Sequence, residues 1–380
     1  VLGWLRRKGS SAPALSFSSK FDLMTGTEPL GLAVADFDGD GRTDIAVTIY
    51  NNGNGDHLTV FRNTGTVGHL QFDPLPIDVP TGSGPEGIAV GDLNNDNKVD
   101  LVTVNPGNSS ISVLRNFSTN GFIDFEPVAL SLSAPPTPHR VVIADFDGDG
   151  RPDLIVTSNS GRLVSVFHHG SDPNVISFDY RRDFSAGDFL SDVAVADIDH
   201  DTRPEILVTL SDGLKVFQNQ STQGNVQATG LTTLAAGTVP RGIAAGDLNN
   251  DQLPDVLVAA IGGVGVFQNH SSPGMFDLRR TDLLTGTNPD AVAIGDLDKD
   301  GFLDAVVANP SDNTLTVLHN TTGNMGAPIA LTALQTPLAT GLNPFSLVLG
   351  DVDGDGWPDI VSANIDANTI SIILNTTGHQ

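Results

Sequence analysis

The chain contains no cysteine. That absence excludes a disulfide framework, a thiolate nucleophile and any Cys-ligated zinc or iron–sulfur centre. Long apolar runs are missing as well. The longest, Val256 to Phe267, holds three glycines and falls well short of the roughly 20 residues a membrane helix needs, so no membrane insertion is expected. Basic residues are scarce, with 19 Lys+Arg against 45 Asp+Glu and a net charge of −26. Nucleic-acid binding calls for a basic patch, and this balance argues against it. Hydrophobic residues make up 39% of the chain, enough for a core and too many for disorder. A length of 380 residues would by itself allow two or three domains.

A repeat replaces that expectation. One nine-residue pattern occurs seven times: DFDGDGRTD from Asp36, DLNNDNKVD from Asp92, DFDGDGRPD from Asp145, DIDHDTRPE from Asp197, DLNNDQLPD from Asp247, DLDKDGFLD from Asp296 and DVDGDGWPD from Asp351. The leading aspartates lie 56, 53, 52, 50, 49 and 55 residues apart, so seven units fill nearly the whole chain. A period near 50 belongs to solenoids, propellers or arrays.

Every unit has the same grammar. A small-residue apolar run such as GLAVAD or GIAVGD precedes the acidic pattern, and a β-branched run such as DIAVT follows it. A turn leads to a third run (LTVFRN, ISVLRN, LKVFQN, VGVFQN, LTVLHN, ISIILN) and then to a looser fourth segment such as FDPLPIDV or FDLRRTDLL. The runs are four to eight residues long, rich in β-formers and bounded by Gly, Asn, Asp and Pro, so they read as strands. Four strands in each of seven units make an all-β, seven-bladed β-propeller.

The last unit stops after its third strand, ISIILN at 370–375, so its fourth is expected from the other end of the chain. Asp22–Pro29 (DLMTGTEP) parallels Asp282–Pro289 (DLLTGTNP), the latter read as the outer strand and following loop of the sixth blade. Residues 15–24 should therefore complete the last blade and hide an open sheet edge. The propeller is expected over 15–380, with 1–14 a linker or processing remnant. The residue before each leading Asp is Ala35, Gly91, Ala144, Ala196, Gly246, Gly295 or Gly350, as crowding of seven inner strands at an axis requires.

The acidic loops read as metal sites. Positions 1, 3, 5 and 9 are Asp36, Asp38, Asp40 and Asp44; Asp92, Asn94, Asp96 and Asp100; Asp145, Asp147, Asp149 and Asp153. They continue as Asp197, Asp199, Asp201 and Glu205; Asp247, Asn249, Asp251 and Asp255; Asp296, Asp298, Asp300 and Asp304; Asp351, Asp353, Asp355 and Asp359. Alternating carboxylates on a tight loop supply the oxygen ligands that Ca²⁺ takes. Position 7 (Arg42, Lys98, Arg151, Arg203, Leu253, Phe302, Trp357) should add a backbone carbonyl. Position 6 is the sharp turn, Gly at 41, 150, 301 and 356. The loop is not an EF-hand, because Val47 stands where the bidentate Glu would be and strands flank it. Twenty-six of the 45 acids lie in these loops, so the rest of the chain is electrically balanced. Thr202 and Gln252 at position 6 tolerate a left-handed backbone poorly, so the fourth and fifth sites should lose metal first.

A propeller with DxDxDGxxD between the first two strands of each blade resembles the FG-GAP/VCBS family, which includes the integrin α-chain propeller and many bacterial secreted and surface proteins. The resemblance covers residues 15–380. It implies up to seven Ca²⁺, held in the first loop by Asp36, Asp38, Asp40, Asp44 and the Arg42 carbonyl, with the same positions serving in the other six. The FG and GAP signatures of integrins do not recur, and no spacing leaves room for an inserted domain, so the match is to bacterial-type repeats.

Specificity is expected where the repeats differ. Proline precedes the first strand in six units, and the next residue varies: Leu30, Glu86, His139, Ser191, Arg241, Asp290 and Phe345. By topology these ring the funnel opposite the acidic loops. Glu86, His139, Arg241, Asp290 and Phe345 are the candidate ligand-binding residues. An alternative is a carbohydrate-active enzyme or its accessory domain, with His139, Arg241, Glu86 and Asp290 as base, anion clamp and acids. Nothing local marks a nucleophile, and His168-His169 reads as a lone pair on a strand end. Six N-x-S/T sequons occur, at Asn108, Asn116, Asn219, Asn269, Asn320 and Asn375. Five of them directly follow the third strand, where Asn is also good turn chemistry. The resulting expectation is a secreted or cell-surface, calcium-stabilised adhesion or recognition propeller for a glycan or protein, monomeric or one module of a larger surface protein.

Overall fold

The computed structural model describes residues 13–127, 132–170, 172 and 174–379. The expectation of a linker at the N-terminus falls largely outside them. The fold is a seven-bladed β-propeller. Its seven antiparallel sheets follow one another in chain order, and each starts with the innermost strand.

The first blade shows the plan: Pro29–Ala35 innermost, then Asp44–Ile49, His57–Phe61 and outermost Ile77–Pro80. The other innermost strands are Ile88–Gly91, Pro138–Ala144, Leu190–Ala196, Ile243–Gly246, Val292–Gly295 and Pro344–Gly350. In the second and sixth blades two short segments share the outer position. Phe125–Pro127 and Leu132–Ser133 both pair with Ser110–Asn116, and Leu331–Ala333 and Leu338–Ala339 both pair with Thr314–Asn320.

The ring closes as the sequence predicts. Phe21–Met24 pairs antiparallel with Thr369–Ile373, placing Phe21 opposite Ile372 and Met24 opposite Thr369, so the N-terminal segment becomes the outer strand of the seventh blade. One expectation needs correcting. Leu278–Leu283 pairs with Gly263–Asn269, so the segment paralleling Asp22–Pro29 closes the fifth blade, not the sixth.

Packing runs between blades rather than within them. Seven apolar clusters each draw on two neighbouring blades, including the first and seventh, where Leu32, Val47 and Phe61 meet Val361, Ile370 and Ile372. The second strands are buried along their whole length, being covered on both faces by adjacent blades. Small residues at the inner strand ends are obligatory. A Cβ on Gly246 would come within 2.5 Å of Ile294, and one on Gly350 within 2.8 Å of Val34.

Candidate functional site

The acidic loops connect the first and second strands and occupy one face. They are built by their own side chains. Oδ2 of the position-1 aspartate accepts the amide of position 6 at 2.7–2.9 Å in all seven loops. Position 5 accepts the amide of position 7 at 2.7–3.0 Å. Position 6 has positive φ throughout, at Asn97, Thr202 and Gln252 as well as at the four glycines.

The position-9 acids are buried. In the first loop Asp44 accepts the amides of Phe37 at 3.0 Å and Asn63 at 2.7 Å. The same two-amide pin recurs at Asp100, Asp153, Glu205, Asp255, Asp304 and Asp359. Burial pushes these carboxyls up to about 7, and Asp100 to about 6, while the two amides resist and the other loop acids add to the rise.

Within the loops the carboxylates converge. Asp36, Asp38 and Asp40 bring one oxygen each within 4.8 Å of one another, as do Asp145, Asp147 and Asp153, then Asp197, Asp199 and Glu205, and then Asp296, Asp298 and Asp300. Oδ1 of Asn94, Asp199 and Asp351 is buried without a hydrogen bond. Such an orphaned acceptor within an oxygen cage fits a hard divalent cation.

Two features of this face escaped the sequence reading. The residue closing the third strand ties neighbouring blades together. Asn116 Nδ2 donates to Val99 O in its own blade and to Phe37 O in the previous one, both at 2.9 Å. Asn63, Asn219, Asn269, Asn320 and Asn375 repeat the bridge, and His169 makes it through Nε2 to Leu93 O at 2.9 Å. The ring is continuous through all seven blades. Five of the six sequons are these buried asparagines, so they serve as structural turns and bridges; Asn108 alone among the six is exposed. The signal was the Asn ending nearly every third run. The residue before it also leans over its own loop. Arg62 reaches Asp38 at 2.6 Å and Asp40 at 3.0 Å, and His319 reaches Asp298 at 3.1 Å.

The opposite face holds a funnel on the axis, with a cavity of about 500 Å³ whose lining includes Leu30, His139, Ser191, Arg241, Asp290 and Phe345. Glu86, Arg241 and Asp290 precede the first strand of their blades, whereas Leu30, His139, Ser191 and Phe345 lie inside theirs. Those four sit on β-bulges: the register slips between Pro29 and Leu32, Pro138 and Val141, Leu190 and Asp192, and Pro344 and Ser346. In the other three blades Glu86-Gly87, Arg241-Gly242 and Asp290-Ala291 face single partners, Val104, Ala259 and Ala308. A bulge re-aims a side chain, here toward the axis.

The second bulge residue is small in five blades because backbone from the next blade crosses it. A Cβ on Gly242 would lie 2.5 Å from Asp290 O. Blades three and four instead carry Arg140 and Asp192, which the sequence reading passed over. Arg140 lies 3.3 Å from Glu86 and 3.6 Å from Asp192, and its guanidinium is 5.5 Å from the Phe345 ring centre. Glu86 also meets His139 at 2.6 Å, and Arg241 meets Asp290 at 2.8 Å. Burial pushes the Glu86 carboxyl up, but His139 and Arg140 together outweigh it and hold Glu86 below its ordinary value. Burial raises Asp192. A second groove of about 590 Å³, lined by Asn288, Asn343 and Asp366, shares Arg241, Asp290 and Phe345 with the funnel. The surface is therefore mixed: paired charges beside the half-buried Phe345 ring.

A ring of blades, each opened by an Asp-rich turn between its first two strands, defines a repeat propeller with acidic loops on one face. The chain belongs to the FG-GAP-like repeat family, matched over residues 36–103, 92–156, 145–208, 197–258, 247–307 and 296–362. No curated protein sequence matches it. Among solved structures it is similar to a candidate 6-phosphogluconolactonase of Bacteroides uniformis, at 15% identity over 88% of this chain and 94% of that one, with a TM-score of 0.62. A lectin of Agrocybe aegerita that recognises non-reducing terminal N-acetylglucosamine matches at 16% identity over 90% and 87% of the two chains, TM-score 0.54. BBS1N, crystallised with ARL6DN, matches at 13% identity over 94% and 96%, TM-score 0.57. These likenesses show the fold alone. Among the described residues no helix is long and apolar enough to cross a membrane.

Proposed function

We propose that the protein is a calcium-stabilised extracellular recognition module that binds a glycan through its axial funnel. The observation that carries this reading is the funnel itself. Its variable residues are aimed inward by seven bulges, on a scaffold that is otherwise uniform. Phe345 offers an apolar face for a sugar ring, and the Arg241–Asp290 and Glu86–His139 pairs offer donors and acceptors at its edge. Each of these charges is already met by a neighbour, which suits a binding rim better than a catalytic base and acid.

Calcium would be held by the loop carboxylates at positions 1, 3, 5 and 9, such as Asp36, Asp38, Asp40 and Asp44. It would supply the positive charge those clustered acids need. Position 3 links the site to the next blade: Asp38 accepts the Gly121 amide at 3.1 Å and Asp199 the Gly274 amide at 2.7 Å. A filled loop therefore braces two blades. Calcium at the millimolar levels found outside cells keeps loops of modest affinity filled, which favours work outside the cell.

A glycan and matrix-protein array in calcium, repeated with Arg241→Ala and Phe345→Ala, tests the reading. Terminal N-acetylglucosamine, the lectin's ligand, is the first sugar to try. Glycan binding lost in either variant supports the funnel. Binding that both variants retain, or binding to protein alone, overturns the glycan assignment.

A further inference from the structure

The third acidic loop differs from the other six. We infer that it holds a second kind of metal site, in which Nε2 of His168 joins Asp147 and Asp149 to bind a borderline first-row cation, Zn²⁺ by preference. His168 occupies the position where the other blades carry Arg62, Arg115, Gln218, Gln268, His319 and Leu374. It is 4% exposed, and neither ring nitrogen makes a hydrogen bond. Nε2 lies 3.3 Å from Asp147 Oδ2 and 3.4 Å from Asp149 Oδ2, and these atoms all fall within 4.8 Å of one another. Nε2 thus faces two carboxylates without an aligned hydrogen bond, and Nδ1 has none either, a costly arrangement for a buried ring. A metal placed between the three groups would satisfy them together.

The ring is held in place for such a role. It stacks on Tyr180 with centroids 4.7 Å apart and planes 9° from parallel. The Tyr180 hydroxyl donates to Gly224 O and accepts the Val226 amide, both at 3.1 Å. The Gly224 amide in turn donates to Asp147 Oδ2 at 2.5 Å. The next blade thus fixes both imidazole and carboxylate. Arg151 also pairs with Asp149, as Arg42 does with Asp40 in the first loop, so that contact is not peculiar to this site. His319 in the sixth blade is the instructive contrast: it is more exposed, and its Nε2 already bonds Asp298.

Two oxygens and one imidazole nitrogen favour zinc, cobalt or nickel over calcium, which prefers an all-oxygen shell. The site is distinct from the funnel and survives the failure of the glycan reading. The test uses the full chain in excess calcium, titrated with Zn²⁺ and followed through the ring ¹⁵N resonances of its histidines. The His168 resonance should shift and saturate near one equivalent, ahead of the other histidines. His168→Gln, which copies the fourth and fifth blades, should weaken this zinc site at least ~10-fold, while His319→Gln leaves it unchanged. An imidazole that titrates as a simple partner of the two aspartates and ignores zinc overturns the proposal. So does equal zinc affinity in wild type and His168→Gln.

Discussion

Replacing Asn269 with alanine removes one bridge from the inter-blade ring. Asn269 donates to Ile198 O at 2.8 Å and Pro254 O at 2.9 Å, and accepts the Ser271 amide at 2.9 Å. The side chain is fully buried, so water does not take over these bonds. Each buried polar group left unsatisfied costs about 1–3 kcal/mol. Carbonyls keep a second lone pair, so the lower part of that range applies, and three groups lose about 3–5 kcal/mol together. For a domain this large, at about 2 °C per kcal/mol, the melting temperature should fall by roughly 6–10 °C. Calorimetry in saturating calcium measures it, with the exposed Asn108→Ala as control, expected to stay within about 1 °C of wild type because surface changes cost little. An Asn269→Ala protein that melts as the control does would refute the bridging role and return these asparagines to plain turn formers.

His169→Asn restores the residue found in the other blades; both ring nitrogens of His169 face carbonyl oxygens, those of Gly170 and Leu93. The change should leave the melting temperature equal or higher, and a clear fall would show that the imidazole is specifically required. Thr202 holds φ at 76° at a turn where four blades carry glycine. Thr202→Gly should therefore stabilise the apo protein by about 0.5–1 kcal/mol, since relief of the left-handed cost exceeds the added chain entropy; a destabilised variant in urea unfolding would contradict this. The position-9 acids have folded-state values near 7 through burial, so the folded chain binds protons that the unfolded chain has released. Without divalent cation, stability is then highest near pH 4 and falls as pH rises toward 7. Melting in chelator at pH 5 and pH 8 checks the sign, and a higher melting temperature at pH 8 would be the wrong one.

The fold was legible because seven copies of one grammar leave little to chance. The acidic turn, the flanking β-runs and the small residue at the axis each recur in register, and Phe21–Met24 closes the ring because it matches a strand used elsewhere. The site was legible only in part. The ring of variable residues follows from the proline that recurs just before it in six of the seven units, but a bulge is invisible to a strand pattern. Arg140 and Asp192 therefore stayed hidden one residue beyond the ring. His168 and His169 read as a lone pair on a strand end because alternation along a strand says which side a residue faces, not that the next blade covers it. Five of the asparagine bridges span 71 to 79 residues and that of Asn63 spans 289, distances over which local turn rules have nothing to say.

Calcium held by the acidic loops is proposed to brace neighbouring blades. Chelator-treated protein should be titrated with calcium by isothermal calorimetry, with the melting temperature followed alongside. The account predicts several equivalents bound per chain, at most seven, and a melting temperature that climbs as they fill. Heat absent at millimolar calcium, with an unchanged melting temperature, would contradict it.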